Sequence, residues 1–167
     1  LLVLGSGALW FAVPGSALAV PIALTGFVVA TVGAEFATTF NNAMMTRLVP
    51  PERLGWLSGT GWAIGYLGGL LSLAITLGLL AADPHTGTTL AGIAPIFGLD
   101  AAAREGDRFS GPLTALWFVI FVTPMFLFTP DTQKTGLSLA EAAKGGVGRL
   151  RNTLAELPRL PSLGRFL

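Results

Sequence analysis

Residues 28–45, VVATVGAEFATTFNNAMM, place one carboxylate in a stretch otherwise free of charge. A lone Glu35 in apolar surroundings can carry a proton, hold the ammonium of a substrate, or pair with a cation on a neighbouring helix. Thr31, Thr38, Thr39 and Asn42 stand at −4, +3, +4 and +7 from it, which on a helix is one face. Gly26, Ala30, Gly33 and Ala37 hold the roughly opposite face, and small residues at that spacing let another helix approach closely. Two readings fit the polar face: the lining of a water-filled cavity, or a structural acid that fastens the bundle. A second set lies in SGTGWAIGYLGGLLS, residues 58–72. Gly61, Gly65, Gly68 and Ser72 form a stripe whose glycines each cost up to about 1 kcal/mol against alanine in a helix. Close packing, or a helix that bends in a conformational cycle, would compensate. Trp62 and Tyr66, four residues apart, serve either as an aromatic wall beside a substrate or as packing.

Other chemistry finds no residues to carry it. GTGWAIG, residues 59–65, imitates a dinucleotide loop, but Ile64 stands where the last glycine of GxGxxG belongs and no strand precedes it. There is no P-loop, HExxH or GxSxG. The single histidine, His85, and the lack of cysteine argue against a metal centre, a disulfide framework or a histidine-based triad. Met44-Met45 reads as core. No enzyme activity, cofactor, metal or nucleic-acid partner is expected.

The elements that must position these residues are membrane helices. Hydrophobic residues make up 52% of the chain and charged ones 11%, against about 25% charged in a soluble domain. Residues 1–34, 54–82 and 109–130 carry no charge, and uncharged runs of this length read as spans. Four segments are expected: 1–13, too short to cross and the end of a longer helix; 18–48, stopped by Pro50-Pro51; 57–81; and 112–129. Residues 82–111 form a loop. Residues 130–167 form a basic tail in which Val147, Leu150, Leu154 and Leu157 recur at helical spacing, so it is either a short amphipathic helix on the membrane surface or a solvated linker. The chain opens Leu-Leu-Val without a basic stretch ahead of the apolar run, so no signal peptide is expected.

Eight of the ten Lys and Arg residues lie in the tail or beside the 49–56 turn, and only Arg104 and Arg108 lie in the loop between the last two spans. The excess of basic residues puts the tail and the 49–56 turn in the cytoplasm. Glu35 then lies about 25 Å along its helix from Leu18, inside a hydrocarbon core about 30 Å thick and in its cytoplasmic half.

The stretches FNNAMMTRLVPPERLGWLSGTGWAIGYLGGLLSLAI, residues 40–75, and GPLTALWFVIFVTPMFLFTPD, residues 111–131, resemble the vacuole-effluxer-like family of the major facilitator superfamily. The motifs are Asn42-Ala43, Pro50-Pro51-Glu52-Arg53, Ser58-Gly59, Gly61-Trp62-Ala63, Gly65-Tyr66-Leu67-Gly68-Gly69, Leu116-Trp117-Phe118 and Pro124. They depart from the family pattern at Asn41 and Met45-Thr46. The resemblance implies an all-α integral membrane protein of the bacterial inner membrane. The chain would be a fragment of a twelve-helix fold: the end of helix three, helices four to six and the central loop. Membrane lipid and the missing helices of the same chain would be its partners, and a small molecule, an amino acid by analogy, its substrate. Glu35 would be the proton-coupling or ammonium-binding group, Thr38, Thr39 and Asn42 the polar lining, and Trp62 and Tyr66 further candidates. Gly26, Gly33, Gly61, Gly65 and Gly68 would pack helices. The competing expectation is a membrane scaffold or sensor that keeps the fold without transporting.

Overall fold

Proline and glycine set the ends of the helices. The computed structural model describes residues 1–129 and 136–156. Contacts divide the chain into two units, Leu1–Phe128 and Thr129–Leu167. The first unit begins with α1, Leu2–Ala8, which tightens into a single 3-10 turn over Leu9–Phe11. Pro14 cannot continue a helix, and Gly15 takes a left-handed φ of 82°. The chain reverses there, and the Ser16 carbonyl accepts the Ala19 N–H at 3.0 Å as α2 starts.

Helix α2 covers Ala19–Leu48 and α3 covers Pro51–Ile75. Val49 between them is extended, with φ −138° and ψ 153°, the conformation a residue ahead of proline prefers. The same proline pair that stops α2 starts α3. Pro51 occupies the first helical position, where its missing N–H costs nothing, and Glu52 in the first turn opposes the positive end of the helix dipole. The helix expected over 57–81 therefore begins six residues earlier, at Pro51.

At its far end α3 widens into a π-type turn over Thr76–Leu80, closed by Ala81 N–H donating to Thr76 O at 2.7 Å. Leu80 is fully buried there. Helix α4, Glu105–Phe128, passes through Pro112 and Pro124. It too begins earlier than the expected 112, and the loop is shorter for it. The first turns are held by polar contacts: Glu105 accepts the Asp100 N–H at 2.9 Å, Asp100 accepts the Ala102 N–H at 2.8 Å, and Arg104 pairs with Asp107 at 2.8 Å. Glu105 and Asp107 also suit the start of a helix electrostatically.

Backbones meet where side chains are absent. Gly5 of α1 lies against the backbone of Gly26 and Ala30, and Gly33 of α2 against the Leu2 backbone. On the other side of α1, Gly111 of α4 lies against the Ser6 carbonyl and Leu9. Gly106 lies against the Leu80 carbonyl and Ala81. A Cβ at Gly5, Gly33, Gly106 or Gly111 would overlap the neighbouring chain. Helix α1 is thus clasped between α2 and α4, packed through glycine as membrane helices often are.

Three helices, Ala19–Leu48, Pro51–Leu80 and Glu105–Phe128, are long and apolar enough to cross a membrane, the mark of a membrane protein. Among the described residues the β structure is one isolated bridge, Ala82 to Thr89. In the second unit α5 covers Leu139–Glu156. Ser138 and Glu141 cap it reciprocally: the Ser138 N–H and hydroxyl donate to Glu141 Oε2 at 2.8 and 2.6 Å, the arrangement of a capping box. Leu157, expected in this helix, lies outside the described residues.

Candidate functional site

The Val49–Pro50 corner brings the last turns of α2 beside the first turns of α3. Between them runs a groove of about 550 Å³. Thr38, Asn41, Asn42, Met45 and Leu48 line it from α2; Leu57, Ser58, Gly61, Trp62, Gly65 and Tyr66 line it from α3. These are residues at i, i+3, i+4, i+7 and i+10 from Thr38, and at i, i+1, i+4, i+5, i+8 and i+9 from Leu57, so each helix gives one continuous face. Gly61 and Gly65 meet nothing within 4 Å of where a Cβ would stand. Their lack of side chains makes the groove deep rather than letting a helix close in. Gly68, one turn further, has the Trp117 indole nitrogen at 3.7 Å from the Cβ position.

Trp62 and Tyr66 pack ring to ring along one wall, with centroids 5.8 Å apart and planes at 36°. Such a wall offers apolar faces and the electron-rich surface that attracts a cation. The opposite wall carries the polar groups, Thr38, Asn41 and Asn42, beside Met45 and Leu48. Among the described residues the side chains of Thr38, Asn41 and Asn42 have no protein hydrogen-bond partner, so their amides and hydroxyl are free to take a ligand or water.

The polar face expected around Glu35 divides on α2. Thr38 and Asn42 point their face into the groove, together with Trp62 and Tyr66 on α3. Thr31 and Thr39 donate their hydroxyls to the Phe27 and Glu35 carbonyls, both at 2.8 Å. Glu35 is exposed and does not line the groove. Among the described residues its carboxylate has no ion pair or hydrogen bond. Asn41 and Ser58 belong to the groove without having been picked out as site residues. The signal for Asn41 was its place three residues after Thr38, which a face centred on Glu35 passes over.

A second polar cluster sits at the loop end of the bundle. Arg108 Nη1 donates to the Trp10 carbonyl at 2.8 Å, its guanidinium lies 4.9 Å from the Trp10 ring centre, and Glu105 is 3.5 Å away. Phe109 meets Trp10 edge-on at 6.0 Å. The cluster ties the start of α4 to the end of the α1 segment. It is an anchor, and Arg108, expected within the 82–111 loop, lies in the first turn of α4.

No family model matches this chain, and no curated relative or solved structure is significantly similar to it.

Proposed function

We propose that this chain forms part of a secondary transporter that moves a small solute by alternating access. The observation that carries the reading is the groove between α2 and α3, where amides and a hydroxyl without partners among the described residues face an aromatic wall in helices long enough to span a membrane. Solute sites in such proteins lie where helices meet at membrane depth. The finer reading is a major facilitator fold of twelve helices of which this chain supplies part; it rests on the motifs in residues 40–75 and 111–131. An amino acid fits the groove's chemistry: Asn41, Asn42 and Thr38 hydrogen bond to its polar groups, and Trp62 and Tyr66 cover its side chain or ammonium.

Glu35 stands one turn from the groove. At membrane depth a lone charge costs about 2.5–3.5 kcal/mol on insertion scales, and a substrate ammonium or a cation on another helix would offset it. A carboxylate in that position suits a coupling group beside the groove.

The test is solute flux in proteoliposomes made with the full-length protein. A labelled amino-acid mixture is followed with and without a pH gradient, for the wild type, Asn42→Ala and Glu35→Gln. Gradient-driven flux that falls in Asn42→Ala and loses its gradient dependence in Glu35→Gln supports the reading. Absence of flux across a wide panel of solutes would leave a membrane scaffold or sensor.

A further inference from the structure

Helix α5 carries an apolar stripe along one side. At 100° per residue Ala143, Val147, Leu150 and Leu154 fall within about 60° of arc. Val147, Leu150 and Leu154 are 68%, 60% and 55% exposed. Lys144 and Arg151 fall side by side on one flank of the stripe, and Glu141, Arg149 and Glu156 on the far side of the helix. Glu141 is already occupied as the cap acceptor of Ser138. The 11 residues after Glu156 add Arg159 and Arg165 and no acid.

A bilayer is never far from this helix. Helix α4 ends at Phe128 and α5 begins at Leu139, so the covalent link of ten residues reaches at most about 35 Å. We propose that α5 lies in the plane of the membrane interface. Its stripe enters the headgroup–acyl boundary, and Lys144 and Arg151 bind anionic phospholipid headgroups. An in-plane helix has this division of a narrow apolar face flanked by long cationic side chains, whose alkyl stems follow the apolar surface while the charges reach the headgroups. Weak overall hydrophobicity, with three glycines at 145, 146 and 148, makes the apolar face alone a poor anchor. The docking is therefore dependent on lipid charge. This inference needs the membrane helices but not the transport reading; a chain that moved no solute would dock its tail in the same way.

The chain has no cysteine, so single labels are clean. Leu150→Cys and Asn152→Cys, each carrying a nitroxide, are compared in the full chain in nanodiscs of phosphatidylcholine alone or with one-third phosphatidylglycerol. The readout is accessibility to a water-soluble relaxing agent against oxygen, which partitions into lipid. The expected result is a label at 150 that is shielded from the aqueous agent and open to oxygen in the anionic discs, with the label at 152 in water. In the Lys144→Gln/Arg151→Gln background the docking equilibrium shifts about 30-fold toward the free helix, two charges at an anionic surface. Equal aqueous accessibility at 150 and 152 in anionic discs would overturn the proposal. So would a label at 150 that is equally shielded with and without anionic lipid.

Discussion

At the scale of the residue, Asn42 and Glu35 have different standing in the structure. Asn42 faces the groove, and among the described residues its amide has no partner; Glu35 lies outside the lining. The two substitutions should therefore act differently. On the proposed transport role, Asn42→Ala removes one ligand hydrogen bond and should lower solute flux about tenfold, measured as initial rate at subsaturating solute, with coupling to the gradient intact. Glu35→Gln should leave exchange of solute in place and abolish its response to pH. Arg108 makes a third case. Its side chain is 11% exposed and bonded to the Trp10 carbonyl. Arg108→Met should destabilise the bundle by about 1.5–3 kcal/mol, the range for a hydrogen bond to a charged group, and Arg108→Lys should rescue little, since a point charge cannot meet the carbonyl and the ring with one planar fork. Thermal unfolding in detergent checks both, and unchanged midpoints would remove the anchor role.

At the scale of the element, glycine does two jobs, and the helices show which. Gly106 is pressed onto the Leu80 carbonyl at the π-type turn. Gly106→Ala should force α3 and α4 apart and cost about 1–3 kcal/mol, as overpacking does. Gly65→Ala, in the open groove, should cost nothing in stability and narrow the site instead, so the pair of thermal midpoints separates packing from lining. The cap of α5 gives a pH prediction. The Ser138 hydroxyl and then its N–H hold the Glu141 carboxyl below the ordinary value of 4.5. A carboxylate depressed in the folded helix stabilises it above that ordinary value, and the contribution disappears as pH falls through the lower, folded one. The Glu141 side-chain carbon resonance should titrate below the ordinary value of 4.5, and Ser138→Ala should return it toward that value.

At the scale of the whole molecule, three helices long and apolar enough to cross a membrane, joined by a proline corner and a loop, predict alternating sides for what lies between them. Glu52→Cys and Asn152→Cys should react with a membrane-impermeant thiol reagent from one side, and His85→Cys from the other. The excess of basic side chains beside Glu52 and Asn152 predicts that theirs is the cytoplasmic side. Labelling of all three from one face would refute the three-span arrangement. Much of the outer surface of the bundle is apolar, with Phe27, Phe36, Phe40, Leu67 and Leu70 all more than half exposed. A face of that kind belongs against lipid or other helices.

The charge-free runs, the prolines at 50 and 51 and the spacing of threonine and asparagine were enough to state three spans, the corner that separates two of them and a polar side on α2. Those properties are local: hydropathy, the missing N–H of proline and the 3.6-residue period act within one segment. Helix starts at Pro51 and Glu105 were harder to see, because a proline reads as a stop until its place in the next helix is known, and because the contacts that hold α4 in register come from Asp100 and Trp10. The same limit applies to the site. Gly26 and Gly61 are identical in sequence terms, yet one is buried against α1 and the other opens a groove. Thr38 and Thr39 are neighbours, yet one faces that groove and the other bonds back to its own helix. Which face of a helix meets a partner is decided by the rotation of one helix against the next, and that rotation is set by the summed contacts of both surfaces, of which a single segment contains only half.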